Sequence, residues 1–387
     1  MRHHPTVFED LLREVPWGMF DRLVRELGSD AGVRSFTSRD HLIALLGAAL
    51  GGFNGLRQAS AGLAPSAGPL RLMGSEAPRR STLAEANRRR SAELFVSLLQ
   101  AMLPQANRQL RRDVREAVRL IDATQLDAGL RLRRWLGLHR GQAAAKLHIV
   151  YDPRAVQPVL FQVAPARIND ITVAKTIPIE PGATYVFDLG YYDFGWWARL
   201  DRLQCRFVTR LKSHTRLHDI EERPVAAAAD IDILADRTGR LPERMAAQRR
   251  NPFDKRVREI VVRIATGKTL RLLTNDLDSP AETIAALYKE RWQIELFFKW
   301  IKQNLRIARF MGTSENAVRC QIATALIAFL LVRLAQARAL QAYPATIIIL
   351  VIRSQLFTRK PIQHLLHPPT RPKPPPNPQL RLFPCKT

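Results

Sequence analysis

The stretch YKERWQIELFFKWIKQNL, residues 288–305, constrains this chain more than any other. Stepped at about 100° per residue from Arg291, the side chains of Tyr288, Glu295 and Lys302 fall within roughly 60°, and Lys299 lies near 80°. Trp292, Ile294, Leu296, Phe297, Phe298, Trp300, Ile301 and Leu305 cover most of the remaining circumference. A surface helix with i,i+4 ion pairs would show one apolar stripe and a broad polar face. Here the proportion is inverted. Such a helix is expected to be buried on most sides, and a carboxylate on its narrow polar stripe then needs a strong partner.

The partners of that helix are expected from the texture of residues 117–211. AVRLIDA, KLHIVYD, VQPVLFQVA, TYVFDLG and RFVTRLK are short runs rich in β-formers. DITVAKTI and YDFGWWARLDRLQ between them read as helices. The order β, β, β, α, β, α, β fits a mixed sheet with helices on its faces. Residues 212–275 interrupt it with a polar, β-rich section ending in a hairpin, VREIVVRIATGKTLRLLTND. One helix is expected over 281–305.

The flanks are helical. Residues 5–60 show apolar spacings of three and four, with Ser38 placed to cap a second helix. Residues 61–78 read as a loop. RRSTLAEANRRRSAELFVSLLQAML follows as a basic amphipathic helix carrying the clusters Arg79–Arg80 and Arg88–Arg90, either a solvated face or phosphate contacts. The division expected is 1–76 N-terminal helical domain, 77–116 basic linker helices, 117–312 catalytic α/β domain with its insertion at about 212–275, 313–358 C-terminal helical segment and 359–387 tail. That tail holds nine prolines, six basic residues and no acid, and is expected to be extended or disordered.

Charge narrows the function classes. The formal net charge is +25 with a pI near 11.1. Residues 1–76 are net zero, 77–119 are +6, 205–280 are +5 and 313–387 are +9. Such a field calls for a polyanion and argues against a metabolic enzyme without one. The apolar run Ile322 to Val332 is about half a membrane span and is closed by Arg333, so nucleic acid is preferred to a membrane. Cys205, Cys320 and Cys385 lie too far apart for a zinc motif or a disulfide framework. No signal-peptide core opens the chain, so a cytoplasmic, nucleoid-associated location is expected.

Asp122 ends the run AVRLID and Asp188 ends TYVFD. Taken singly, a strand-end Asp is more often a turn former or cap. With Glu295 they make three carboxylates that a fold can gather only if cations offset their repulsion. Oxygen ligands with retained water suit Mg²⁺ or Mn²⁺, and two such ions can clamp the attacking and leaving oxygens of a phosphodiester. Arg291 and Lys302, on the face of Glu295, would hold flanking phosphates.

These residues resemble a known family. Tyr288, Arg291, Glu295 and Lys302 form Y-x2-R-x3-E-x6-K, similar to the signature of bacterial DDE transposases of the insertion-sequence four family. DATQL resembles that family's first Asp motif at Asp122, and VFDLGYYDF its second at Asp188. AAAKLHIVYD, RFVTRLKSH and MGTSENAVRCQIATALIAFLL resemble neighbouring regions. TVFEDLL, SRDHLIALLGAAL, GLRQA and RRSTLAEANRRR resemble the N-terminal helical domain of one branch. The likeness covers roughly residues 5–370. It implies an RNase H-like catalytic core with a β-rich insertion, preceded by an α-helical N-terminal domain and followed by a helical C-terminal segment. It implies Mg²⁺-dependent cleavage at the ends of a transposable element, strand transfer into target DNA and a homodimer pairing the two ends. Relatives pass through a hairpin at the element end. The catalytic and metal-binding residues would be Asp122, Asp188 and Glu295. Tyr288, Arg291 and Lys302 would contact double-stranded DNA, with Lys299 beside them.

Leu189 departs from the usual Arg after the second Asp, which removes a DNA contact if that Arg makes one. The insertion has no Trp, leaving Phe253 as the candidate for a base-binding aromatic there. Two other readings stay open: an RNase H-like nuclease without strand transfer, and an inactive or domesticated DNA-binding derivative. The N-terminal helices are expected to help recognise the element ends.

Overall fold

The computed structural model describes residues 4–110, 117–127, 132–136, 143–225, 231–244, 250–307, 310–338 and 343–366. The first part is helical: α1 (Val7–Leu12), α2 (Trp17–Glu26), α3 (Ser38–Gly51), α4 (Leu56–Leu63), α5 (Ala67–Leu72), α6 (Arg80–Arg89) and α7 (Ala92–Leu110). The expected loop at 61–78 therefore contains the end of α4 and the whole of α5. Thr37, not Ser38, caps α3, in a reciprocal box with Asp40, and Gly52 closes it in the left-handed region at φ 72°.

Among the described residues, nine strands follow in one sheet. They are β1 (Val118–Asp127), β2 (Ala144–Asp152), β3 (Gln157–Pro165), β4 (Thr184–Phe187), β5 (Arg206–Arg210), β6 (His218–Glu222), β7 (Asp232–Arg240), β8 (Arg256–Arg263) and β9 (Thr269–Thr274). Short helices interleave: α8 (Arg133–Leu136) after β1, α9 (Asp170–Ala174) before β4 and α10 (Phe194–Arg202) before β5. The strand order is β3-β2-β1-β4-β5-β9-β8-β7-β6. β1, β4 and β5 run parallel, and the other pairs are antiparallel. The β-rich section at 212–275 is thus no interruption in space. Its last strand joins β5, Val208 opposite Thr274, and carries the sheet outward. A buried ion pair there, Arg258 to Asp236 at 2.7 Å and 2.8 Å, locks β8 to β7.

The two faces of the sheet have separate cores. Leu120, Leu147, Ile149, Tyr151 and Val186 join one cluster with the N-terminal helices. Ile121, Val150, Tyr185, Phe187 and Phe207 join the other, with Trp196, Trp197 and Leu200 of α10. Alternation along each strand makes this division. Burial of a side chain such as Phe187 or Phe207 contributes about 2 kcal/mol.

The expected single helix over 281–305 is two: α11 (Ala281–Glu290) and α12 (Trp292–Asn304), joined at Arg291. The join is tight, because Arg291 N–H donates to Tyr288 and Ile294 N–H to Arg291, each three residues back. The helical turn therefore carries through. The expected helix over 313–356 is likewise α13 (Glu315–Arg338) and α14 (Ala345–Gln355). By length and composition α13 could cross a membrane, yet 94% of its apolar window is buried. It packs on α3 and α7, so the two helical ends of the chain share one core. Arg333, which closes the apolar run, lies within the helix, buried, and donates to the Ala155 carbonyl. A last helix, α15 (Ile362–Leu366), lies where an extended tail was expected. Residues 367–387, including Cys385, lie outside the described residues. Cys205 and Cys320 are buried and free.

Candidate active site

Asp122 and Asp188 are brought together by register. β1 and β4 run parallel, and their last paired residues are Ile121 and Phe187. The next residue on each strand is an aspartate. Asp122 was expected to end its strand, but β1 continues five residues beyond it, held by β2 with Ile149 opposite Asp122. The physical reason is that β2 pairs with β1 from Leu120 to its end at Asp127, whereas β4 stops. Asp188 stops it: its side chain accepts the Gly190 N–H at 2.8 Å and starts a single 3₁₀ turn, Leu189–Tyr191. Leu189 is half-buried in that turn.

Glu295 arrives from the opposite direction. Phe297 packs on Tyr151 of β2 at 5.2 Å between ring centres, and on Phe329 of α13 at 5.0 Å. These contacts clamp α12 between the sheet and the central helix. The polar stripe then meets Asp122 through Arg291. The Arg291 guanidinium pairs with Glu295 at 2.7 Å and with Asp122 at 3.5 Å. It was expected to hold a phosphate; in this state it neutralises the two carboxylates. Tyr288 lies against it, with the guanidinium 5.7 Å from the ring centre.

α12 is less enclosed than its pattern suggested. Trp292 and Leu296 are 57% and 50% exposed. They share a solvent-facing side with Lys299, while Ile294, Phe297, Phe298 and Ile301 are buried. The narrow charged stripe is flanked by open apolar surface on one side and core on the other. Lys302 is half-buried farther along; burial lowers its pKa, and Asp127 at the end of β1 opposes that. Lys299 and Lys302 are therefore not part of the ion-pair cluster. They lie beyond it on α12.

Burial and neighbouring charge both act on Asp122. Asp122 is pushed up to about 7. Burial is the largest cause, the Ala123 N–H opposes it, Asp188 and Glu295 raise it and Arg291 lowers it. Two carboxylates acting on a third, with one guanidinium between, is an under-neutralised site. Among the described residues no three His, Cys, Asp or Glu are gathered closely enough to hold a metal ion unaided. The donor set nonetheless consists of hard carboxylate oxygens, which suit a hard divalent cation. Arg291 occupies the position of positive charge between two of them.

Other expectations resolve differently. Phe253 is 4% exposed and packs edge-on against Phe207, so it is a core residue with no free ring face. Arg90 is also structural: 7% exposed, it donates to the Phe36 carbonyl and lies 5.3 Å from that ring. Arg88 pairs with Glu85 at 2.8 Å on the surface. Four polar residues behind the aspartates escaped the sequence: Lys146, His148, Asp170 and Tyr191. Lys146 and His148 alternate with apolar residues on β2 and read as ordinary strand positions. Asp170 reads as a first-turn helix acid.

Comparison with known proteins decides the family. The family described as Transposase DDE domain matches residues 114–331. A putative transposase of Sinorhizobium fredii is 39% identical over 294 residues, which is 76% of this chain and 81% of that protein. The chain belongs to the DDE transposases. It is a DNA transposase, an enzyme that cleaves and rejoins phosphodiesters. A probable insertion-sequence transposase of Geobacillus stearothermophilus is 28% identical over 338 residues, 86% of this transposase and 85% of that protein. Residues 3–76 match a domain family of unknown function. A solved synaptic complex of piggyBac transposase with hairpin DNA covers 94% of this transposase and 81% of that chain. The two are 10% identical in sequence, with a TM-score of 0.46. The matched DDE domain contains Asp122, Asp188 and Glu295, so the register pair and the Arg291-linked glutamate all lie within it.

Proposed function

We propose that Asp122, Asp188 and Glu295 are the catalytic carboxylates of this transposase and hold divalent cations, Mg²⁺ with Mn²⁺ as substitute, in two positions. The observation that carries this reading is the register of β1 and β4, which sets two aspartates side by side just where parallel pairing ends. Open ends of parallel strands are where sheets of this kind present functional groups. The run β3-β2-β1-β4-β5, with one antiparallel strand inside and helices on both faces, supports an RNase H-like core.

Bound cations would lower the pKa of an attacking water, or orient a 3′-hydroxyl, and stabilise the leaving oxygen. This chain's own residues do the rest. Asp122 and Asp188 are fixed by backbone, one inside a strand and one in a capped turn. Glu295 is aimed by the clamp on Phe297. Arg291 keeps Asp122 and Glu295 neutralised and moves to a DNA phosphate once their charge is otherwise met. Tyr288 supports Arg291, and Lys299 and Lys302 continue the positive line along α12 for the flanking duplex. The exposed basic residues of the linker helices and insertion add to the positive field, and strong salt dependence follows.

The substrate is double-stranded DNA carrying the ends of the element, cleaved and then joined to target DNA by a homodimer that pairs both ends. Incubating the full chain with its own element end and Mg²⁺ or Mn²⁺ tests this. Cleavage is expected, with loss in Asp122→Asn, Asp188→Asn and Glu295→Gln while end binding persists, because phosphate contacts lie mostly elsewhere. Unimpaired cleavage by Glu295→Gln would overturn the assignment.

A further inference from the structure

Behind Asp188, on the face of the sheet away from α12, lies a group of polar side chains that the proposed mechanism does not use. Lys146 of β2 pairs with Asp170, the first residue of α9, at 2.8 Å, and also donates to the Ile168 carbonyl at 3.3 Å. Asp170 turns its other oxygen toward the 3₁₀ turn after β4. A Cβ on Gly190 would lie 3.0 Å from the Oδ1 of Asp188 and 3.2 Å from the Oδ2 of Asp170. The two carboxylates therefore flank one backbone position, and only the absence of a side chain there leaves room for both.

Two buried groups face this space without a partner. Tyr191 is 1% exposed, and its hydroxyl makes no hydrogen bond. Asp122, Asp170 and Asp188 all act on it electrostatically. His148 is 1% exposed with both ring nitrogens unpaired, and Asp170 and Lys146 act on it with opposite sign. Buried polar groups left unpaired in a native fold signal an ordered water or ion. Here they lie among three carboxylates balanced on this side by one ammonium.

We infer that Asp170 is a positioning residue of the cation site, and that Lys146 sets how much of its negative charge the site feels. The inference rests on the proposed role of Asp122 and Asp188. Asp170 adds an anion beside Asp188 and so strengthens the pull of the site on a cation. Lys146 offsets that anion and moderates cation affinity. A carboxylate held just outside a ligand set raises cation affinity through space, by its charge.

The two partners must then act in opposite directions. Mn²⁺ binding to the full chain without DNA, followed by calorimetry and by the electron paramagnetic resonance of free Mn²⁺, reads this directly. Asp170→Asn is expected to weaken Mn²⁺ about tenfold. Lys146→Met, which releases the charge of Asp170, is expected to tighten it several-fold. A purely structural ion pair would instead shift both variants the same way, or neither. Either of those results, with binding lost in Asp188→Asn, overturns the inference and leaves the site assignment standing. Unchanged Mn²⁺ affinity in Asp188→Asn overturns the site assignment and the inference with it. Thermal denaturation of each variant identifies any that fail to fold, and Asp170→Glu, which restores the charge, should recover Mn²⁺ affinity.

Discussion

Replacing Asp122 by Asn should stabilise this transposase in the absence of divalent cations. The carboxyl is pushed from 3.8 to about 7, chiefly by burial and by the carboxylates of Asp188 and Glu295. About three pKa units at ~1.36 kcal/mol each correspond to a cost of about 4 kcal/mol for keeping it ionised in the fold. Asparagine retains the acceptor for the Ala123 N–H, now 2.8 Å from Oδ1. It weakens the 3.5 Å contact with Arg291, which keeps Glu295 at 2.7 Å. That attraction is already contained in the shift to about 7, so the net gain stays on the order of 4 kcal/mol.

The sign follows from proton counting. Below pH 3.8 the carboxyl is protonated in folded and unfolded chains alike. Between 3.8 and about 7 the unfolded chain gives up its proton while the folded chain keeps it, so wild-type stability falls as pH rises. Above about 7 the whole cost is present. The advantage of Asp122→Asn should therefore be small near pH 4, grow through neutrality and level off above it. The assay is thermal denaturation with a chelator at several pH values. Adding Mg²⁺ at high pH should reverse the order, because a cation bound only by the folded wild type stabilises it. An Asn variant no more stable than wild type at high pH with chelator would refute the reasoning. So would an advantage that does not change with pH.

Two further outcomes follow from the geometry. Lys299→Ala and Lys302→Ala should each weaken end binding and lower its salt slope by about one, measured by fluorescence anisotropy across a salt series. Phe253→Ala should destabilise the fold by about 3–5 kcal/mol in chemical denaturation and leave the salt slope of DNA binding unchanged, because its ring is packed in the core.

Local pattern specified much of this molecule. The alternation in AVRLID, KLHIVYD and TYVFD placed β1, β2 and β4, and helical spacing placed the segments around them. The signature Tyr288, Arg291, Glu295 and Lys302 survives the break at Arg291 because that residue keeps helical backbone angles, φ −52° and ψ −29°. The apolar count of α12, by contrast, overstated its burial: periodicity reports which residues share a side, and only the neighbours decide which side is covered. Among the described residues, neighbours cover only about half of Trp292 and Leu296. Phe253 and Arg90 show the same limit in reverse, since nothing local says that they lie under a neighbouring ring or carbonyl.

The sequence by itself determined which acids stand at or near strand ends and which lies on a charged helical stripe, because those follow from spacings of two and 3.6 residues. Their meeting was decided by tertiary structure alone. Pairing of β1 with β4 joins positions 66 residues apart and sets Asp122 beside Asp188. The clamp of Phe297 between Tyr151 and Phe329 brings Glu295 to Arg291 and Asp122. The same packing places Lys146 and Asp170 behind the site, a partnership of a strand and the first residue of a helix that no local spacing encodes.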